Sequence, residues 1–144
     1  MTLSFFFTTC IQNDSEKFFS IVTWNIEQFP KNEHTIDFLA ELIIEIDADI
    51  YSLQEITNIN YFNELINKIN DLDSFNSWYG FRSGIENSTY QELAYIIKTS
   101  SIKINQAPYT ILNNESFYFA YREPFVINVS YMDNNFFIIN NHFK

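Results

Sequence analysis

The sequence has few of the residues that chains use for turns, disulfides and soft-metal sites. Its 144 residues include one cysteine, two histidines, two glycines and three prolines. The single cysteine, Cys10, excludes an internal disulfide, and with only two histidines it leaves little room for a zinc site. Neither a Gly-rich phosphate loop nor a nucleophile elbow occurs. Turns must therefore rely on asparagine, aspartate and serine.

Basic residues are scarce too. Eight Lys and Arg stand against 18 Asp and Glu, which gives a formal net charge of −10. This balance argues against a protein that grips nucleic acid through a basic surface. It does not exclude an enzyme that meets a phosphate through a bound metal ion, because the ion reverses the local field. No stretch reaches the roughly 20 apolar residues of a transmembrane segment.

Residues 1–17 have two interpretations. Their first dozen residues are mostly apolar and resemble a clipped signal or lipoprotein segment, with Cys10 as a lipid anchor. The basic first region of such a segment is missing and the apolar run is short, so a disordered terminus explains the pattern equally well. A lipidated Cys10 would place the protein in the cell envelope or outside the cell. Otherwise a cytoplasmic location stays open.

Residues 18–144 contain ample apolar material for one domain, since the chain is 47% hydrophobic and 19% aromatic. Hydrophobic periodicity predicts βαβα followed by several strands, that is, a mixed β-sheet with flanking helices on its outer face. The predicted elements are a strand at 18–26, a helix at 36–46, a strand at 48–53, a helix at 60–70 and strands at 78–82, 93–98, 117–121, 125–131 and 136–140. The last two should form a hairpin.

Two short motifs carry the strongest candidate site. Residues 23–30 read TWNIEQFP and residues 49–55 read DIYSLQE, with a helical stretch between them. This order is typical of a strand, a crossover helix and a parallel strand, whose carboxyl ends share one edge of the sheet. Ligands bind at that edge in open α/β sheets. Asn25 and Glu55 should meet there, with Glu27 nearby, and offer oxygen ligands suited to a hard divalent cation.

Each candidate residue also has an ordinary explanation. Asn25, Glu27 and Glu55 taken singly could be a turn residue and surface acids. His142 follows a predicted strand, where it could act as an acid or base or simply bond a backbone carbonyl.

Two more candidates precede predicted strands. Arg122 could grip a phosphate in bidentate fashion or pair with a surface acid. Glu92 could orient a histidine and favour its protonated form, or be a loop acid. His34, at the start of a predicted helix, is given no role.

These segments, in this order, resemble the endonuclease/exonuclease/phosphatase superfamily. This is the deoxyribonuclease I-like fold, which also includes apurinic endonucleases, sphingomyelinases and inositol-phosphate phosphatases. Residues 24–30 look like its first motif, and residues 49–55 look like the second, whose glutamate binds the metal. Residues 90–92 are similar to the segment whose glutamate partners the catalytic histidine. Residues 121–124 resemble a phosphate-contact segment, and residues 141–144 resemble the motif of the first catalytic histidine.

The resemblance implies a fold and a set of roles. We expect an α/β chain, an α+β sandwich, that forms the first half of a two-sheet deoxyribonuclease I-like fold, because the later Gly-Asp-x-Asn and Ser-Asp-His motifs are absent. Residues 18–144 would be a partial domain whose inner sheet face is bare or covered by a partner. The implied roles are Mg²⁺ or Mn²⁺ binding for Glu55 and Glu27, catalysis for His142, Glu92 and Asn25, and contact with the substrate phosphate for Arg122 and Tyr90.

Three functions stay open at this point. The first is a metal-dependent phosphoester hydrolase of the nuclease or phosphodiesterase type, with nucleic acid among its candidate substrates. The second is a phosphomonoesterase or lipid phosphodiesterase on the same scaffold, which the acidic charge mildly favours. The third is a non-catalytic fragment or interaction module. Because the later motifs are missing, we expect little or no turnover from the isolated chain.

Overall fold

The computed structural model describes residues 19–32, 34–84 and 89–143, so residues 1–17 and the lipid anchor predicted at Cys10 lie outside it. Within these ranges the chain folds into strands, two α-helices and a 3₁₀ helix. In chain order, the elements are β1 (Ile21–Phe29), α1 (Thr35–Ile46), β2 (Ile50–Ile56), α2 (Ile59–Leu72), β3 (Trp78–Arg82), β4 (Glu92–Lys98), β5 (Lys103–Thr110), the 3₁₀ helix (Asn113–Phe119), β6 (Phe125–Tyr131) and β7 (Asn134–Asn140).

The strand–helix–strand–helix order predicted for the first half is confirmed. Strands β1 and β2 pair in parallel, and Asn25 lies opposite Gln54 in the register. The two strands belong to a four-stranded sheet with the order β1-β2-β4-β3. Helices α1 and α2 cover one face of this sheet, and their apolar stripes join one buried cluster with residues of β2 and β4.

Both helices form where the sequence provides the right spacing. In α1 the buried positions recur three and four residues apart, at Ile36, Leu39, Ala40 and Ile43. Helix α2 begins at a conventional cap, because the side chain of Asn58 accepts hydrogen bonds from two backbone N–H groups of the first turn. No helix in the described ranges is long and apolar enough to cross a membrane.

The chain's own second sheet covers the inner face of the first sheet at β2 and β4, so the expectation of a bare or partner-covered face is wrong for these two strands. On β1 the inner positions Ile21 and Thr23 stay exposed. Strands β5, β6 and β7 form a three-stranded antiparallel sheet. Residues from both sheets, such as Leu93 on β4 and Ile127 on β6, share a second buried cluster. The buried Tyr95 hydroxyl lies 2.7 Å from the carbonyl oxygen of Phe125 and 2.9 Å from that of Ile138, which ties the sheets together.

Two local predictions in the second half fail for identifiable reasons. Strand β5 was not predicted, because Pro108 and several polar residues obscure its alternation. Residues 117–121 do not form the predicted strand. They belong to the 3₁₀ helix and to a turn in which Ala120 and Tyr121 have φ angles of 53° and 60°. Such left-handed backbone cannot continue an extended strand.

Candidate active site

The polar edge of the first sheet is built on irregular backbone. The β1–β2 register shifts between Asn25 and Phe29, and the β2–β4 register shifts between Gln54 and Ile56. Three residues without the freedom of glycine have positive φ angles in these bulges: Glu27 (42°), Gln28 (54°) and Glu55 (69°). Bulges re-aim side chains and are common beside active sites. Here the bulge at Glu55 places a carboxylate, rather than a buried apolar residue, at the carboxyl end of β2.

Asn25 and Glu55 meet as the sequence predicts. The Asn25 Nδ2 donates to Glu55 Oε1 at 3.0 Å, and Asn25 Oδ1 accepts the backbone N–H of Glu27 at 2.9 Å. The second carboxylate oxygen, Glu55 Oε2, accepts the backbone N–H of Gln28 at 3.0 Å and the Nε2 of Gln91 at 3.1 Å. These contacts fix the orientation of both side chains, and every donor to Glu55 among them is uncharged.

His142 and Arg122 complete the cluster. The Arg122 Nη1 lies 2.9 Å from His142 Nδ1 and also donates to Gln91 Oε1 at 2.9 Å. Arginine only donates, so Nδ1 must accept, and the neutral ring then carries its proton on Nε2. That Nε2 is 3.5 Å from Glu55 Oε1. Burial lowers the pKa of His142 below its ordinary value, the charge of Arg122 lowers it further, and Glu55 opposes both. His142 is therefore neutral at pH 7.

A buried asparagine brings His142 to this edge. Asn140, the last residue of β7, donates from Nδ2 to the carbonyl oxygens of Leu53 (2.9 Å) and Ala94 (3.0 Å). Its Oδ1 accepts Gln54 Nε2 at 2.8 Å. The end of the second sheet is thereby fixed to the first sheet, and the chain emerges beside Glu55 two residues later. Sequence reasoning missed both Asn140 and Gln54, because their partners lie far away along the chain.

Glu92 does not contact His142, although the sequence predicts that it orients this histidine. Its carboxylate accepts the Ser83 hydroxyl at 2.9 Å, whereas both ring nitrogens of His142 face Arg122, Asn25 and Glu55. The predicted orienting contact between Glu92 and His142 is thus not formed within the described residues. Gln91 bridges Glu55 and Arg122 instead. Adjacent residues near a strand point in opposite directions, so the motif alone did not decide between positions 91 and 92.

Glu27 contributes its backbone rather than its carboxylate. The side chain is 73% exposed and forms an ion pair with Lys31 at 2.8 Å. Tyr90 lies on the rim, where it lines a hollow of about 310 Å³ together with Thr89, Gln91, Ala120 and Arg122. His34 lines a separate groove beside α1.

The oxygen atoms of Glu55 and Asn25 can be compared with the ligands that a hard cation requires. The described residues contain no group of three His, Cys, Asp or Glu side chains able to hold a metal ion. In the described ranges the one ion-pair contact of Glu55 is with His142, which is neutral, so no direct ion pair neutralises the carboxylate. Mg²⁺ commonly uses one or two carboxylates and keeps several waters alongside substrate phosphates. Glu55, with the second lone pair of Asn25 Oδ1, fits that pattern.

Arg122 is the most unusual group of the cluster. The residue is buried, with 7% of its surface exposed, and its Nε–H has no hydrogen-bond partner within the described part of the chain. A buried charged donor without a partner is costly, and such groups call for an explanation. The residue also lines the adjoining hollow of about 310 Å³, where its charge would attract an anion. The arrangement as a whole can hold a cation at Glu55 and an anion at Arg122.

Solved structures share this fold. D. rerio TDP2 humanized by 14 mutations aligns with a TM-score of 0.64 at 16% identity, over 84% of this chain and 48% of that chain. An endonuclease/exonuclease/phosphatase from Bacteroides vulgatus aligns with a TM-score of 0.63 at 15% identity, over 86% of this chain and 52% of that chain. D. rerio TDP2 complexed with single strand DNA product aligns with a TM-score of 0.60 at 13% identity, over 84% and 44%.

No family model matches the sequence, and no curated protein matches it either. At these identities the structural likeness establishes the fold. The chain has the two-sheet, helix-flanked fold of the endonuclease/exonuclease/phosphatase proteins, which confirms the predicted α/β class and the resemblance drawn from the motifs. It spans about half the length of these solved chains, at 48% and 52% for the first two.

Proposed function

We propose, from this shared fold and the cluster at its edge, that the chain is part of a metal-dependent phosphoester hydrolase of the nuclease or phosphodiesterase type. Glu55 with Asn25 would hold Mg²⁺ or Mn²⁺, and Arg122 with His142 would bind the phosphate of the substrate. The observation that carries the proposal is the cationic Arg122, which lines the hollow at this edge and lies 2.9 Å from His142.

The proposed phosphate site follows from the contacts of Arg122 and His142. The Arg122 Nη1 already serves Gln91 and His142, so the charge of the guanidinium would attract a phosphate into the hollow that Arg122 lines. Because Nδ1 of His142 accepts from Arg122, its Nε2–H faces the edge and can donate to a second phosphate oxygen or to the leaving group. Hydrogen bonds of this kind stabilise charge that develops in the transition state.

The proposed metal site depends on Glu55. A bound Mg²⁺ or Mn²⁺ would supply charge stabilisation on the phosphoryl oxygens. The residues of this chain prepare the site: Gln28 and Gln91 fix the carboxylate without neutralising it. Glu27 supports the same geometry through its backbone N–H.

The substrate class is part of the proposal. One solved protein with this fold was crystallised with a single strand DNA product. For this chain we propose a nucleic-acid phosphodiester. A phosphomonoester or a lipid phosphodiester remains the alternative on the same scaffold.

Two measurements on the full chain test the proposal. Mn²⁺ binding, followed by the paramagnetic resonance signal of the free ion, should depend on Glu55. Glu55→Gln should weaken it by about 100-fold or more, whereas Glu45→Gln, the same change at an exposed acid of α1, should leave it unchanged. Unchanged Mn²⁺ binding by Glu55→Gln would refute the proposed metal site.

The second measurement is hydrolysis of single-stranded DNA, RNA, sphingomyelin and an inositol phosphate, each with Mg²⁺ and with chelator. We expect slow turnover, because no third acidic or histidine side chain joins Glu55 and His142 in the described ranges. Any turnover should favour DNA or RNA and require the metal. Preference for the lipid or inositol phosphate would support the alternative. If the chain binds neither Mn²⁺ nor any of these phosphoesters, the result would support the non-catalytic fragment or interaction module.

A further inference from the structure

Glu55 and Arg122 carry opposite charges in one mostly buried cluster, yet within the described residues they form no ion pair with each other. The side chain of Glu55 is 13% exposed and Arg122 is 7% exposed. The ion-pair contact of Glu55 is with the neutral His142, and the Nη1 of Arg122 donates to Gln91 and His142. Opposite charges attract more strongly away from water, so the cluster must contain groups that keep these two apart.

Two neutral side chains lie between the charged groups. The amide of Gln91 donates from Nε2 to Glu55 Oε2 at 3.1 Å, and its Oε1 accepts from Arg122 Nη1 at 2.9 Å. The imidazole of His142 has the same arrangement, with Nε2 3.5 Å from Glu55 Oε1 and Nδ1 2.9 Å from Arg122 Nη1. The four side chains thus form a closed ring in which charged and neutral groups alternate.

The two partners of Gln91 leave its amide one orientation. A guanidinium only donates hydrogen bonds and a carboxylate only accepts them, so Oε1 must face Arg122 and Nε2 must face Glu55. A glutamate at this position could accept from Arg122 but could not donate to Glu55, and an alanine could do neither. The contacts therefore require a neutral group that both donates and accepts.

The backbone around Gln91 is fixed by its neighbour. Glu92 is 6% exposed, and its carboxylate accepts the hydroxyl of Ser83 at 2.9 Å. The Ser83 N–H donates to the carbonyl oxygen of Leu93 at 2.8 Å, and the Leu93 N–H donates to the hydroxyl oxygen of Ser83 at 3.0 Å. Because adjacent side chains along a strand point to opposite sides, fixing Glu92 on one side directs Gln91 to the other, towards Glu55.

We infer that Gln91 is a positioning residue that keeps Glu55 and Arg122 from forming a direct ion pair. A direct pair would neutralise the carboxylate that the cation needs and the guanidinium that the phosphate needs. With Gln91 between them, each charge stays available to an external ligand. This inference rests on the proposed function and adds the residue that keeps its two ligand sites open at the same time.

Binding of inorganic phosphate to the full chain, followed by amide chemical shifts, tests the inference through a double-variant cycle. In Gln91→Ala the two charges can pair, so phosphate should bind about tenfold more weakly. Glu55→Gln alone should change the phosphate affinity by less than about threefold, because Glu55 does not contact Arg122 in the parent chain. The double variant should return to within about threefold of the parent affinity, because Arg122 then has no anion to pair with. A merely structural role for Gln91 predicts no such recovery.

Gln91→Glu tests the same requirement without a change of size. The new carboxylate would accept from Arg122 and repel Glu55, so phosphate should again bind about tenfold more weakly. Mn²⁺ should bind at least as tightly as it does to the parent chain, because a second carboxylate would face the ion. Gln106→Glu, the same change at an exposed residue of β5, is the matched control and should leave both affinities unchanged.

Three results would overturn the inference: unchanged phosphate binding by Gln91→Ala, no recovery in the double variant, or equal losses in Gln91→Glu and Gln106→Glu. A crystal structure of Gln91→Ala gives a test without a ligand. A Glu55–Arg122 contact within about 4 Å supports the inference, and charges that stay apart contradict it. Circular dichroism melts show whether each variant is folded, and Gln91→Glu decides if the alanine variant is not. Unchanged Mn²⁺ binding by Glu55→Gln would contradict the proposed metal site and leave these phosphate results standing.

Discussion

Two acid-centred networks in this molecule have hydrogen bonds of similar length but draw their donors from different parts of the chain. Asp73, after α2, accepts bonds from the N–H groups of Phe75 and Asn76, from Asn76 Nδ2 and from Trp78 Nε1, at 2.9 to 3.1 Å. Glu55 accepts three bonds at 3.0 to 3.1 Å from Asn25, Gln28 and Gln91. The donors to Asp73 lie within five residues of it, whereas those to Glu55 lie 27 to 36 residues away.

The difference separates a structural acid from a candidate ligand. Asp73 ends a helix in ordinary backbone, with φ −104°, and its network closes locally. Burial raises its pKa, but the bonds from Trp78 and Asn76 outweigh burial and hold the pKa at about 2. Glu55 has φ 69°, and its network depends on three separate segments. Positive φ at a residue other than glycine costs on the order of 1–3 kcal/mol. Asp47 and Met132 also have positive φ, so the contacts of Glu55 with Asn25 and His142, rather than φ alone, make it a candidate ligand.

The largest effect on stability should come from breaking the Asp73 network. Asp73→Ala leaves the buried indole N–H of Trp78 and the Asn76 amide without an acceptor, so we expect a loss of about 3 kcal/mol in the free energy of unfolding. Urea unfolding measures it. Asp71→Ala, at an exposed acid of the same helix, should change the value by less than about 0.5 kcal/mol. Equal losses in the two variants would remove the contrast drawn above.

Glu55→Gln should show the reverse pattern. The variant keeps the shape of the side chain but turns one acceptor oxygen into an NH2 donor that faces the N–H groups of Asn25 or of Gln28 and Gln91, so we expect a loss of about 1 kcal/mol, smaller than for Asp73→Ala. Mn²⁺ affinity should fall by about 100-fold or more, since even a group that only orients a metal ligand is worth about 10- to 100-fold. A large loss of stability without loss of metal binding would make Glu55 a structural acid like Asp73.

Arg122→Lys sharpens the comparison within the site. Lysine keeps the charge but loses the planar fork that contacts Gln91 and His142, so we expect inorganic phosphate to bind about tenfold more weakly. Amide chemical shifts during a phosphate titration report this affinity. The chain's other arginine, Arg82, provides the control: its Nε donates to the carbonyl oxygen of Ile56, and Arg82→Lys should leave phosphate binding unchanged. Identical titrations for both variants would exclude Arg122 as the anion site.

The smallest effect is in the acid dependence of stability. The pKa of Asp73 is about 2 in the folded chain against 3.8 ordinarily, so its contribution is present above pH 3.8 and is lost as the pH falls from there towards about 2. Unfolding free energy should therefore drop more steeply in this window for the parent chain than for Asp73→Asn. Parallel curves would show that the Asp73 network contributes nothing pH-dependent.

Prediction from sequence succeeded where structure is periodic and local. The stripe that begins at Ile36 identified α1, and the order of strand, helix and strand placed Asn25 beside Glu55. It also identified Arg122 and His142, which the fold brings together at 2.9 Å. Their roles in catalysis remain predictions.

Prediction failed where a side chain's direction depends on strand register or on a distant partner. The structure places Gln91, not Glu92, between Glu55 and Arg122, and it turns the carboxylate of Glu27 towards Lys31. Strand β5 was not predicted, because its polar sequence lacks a clear strand pattern and the strand forms by pairing with β6.

The sequence by itself determined the parallel β1–β2 unit, and therefore the meeting of Asn25 with Glu55, because strand alternation and a crossover helix are local patterns with one geometric outcome. Only the tertiary structure decided that Asn140 would fix the second sheet to the first and deliver His142 to Arg122. Those contacts join residues far apart along the chain, and their geometry arises from packing between sheets, which no local pattern encodes.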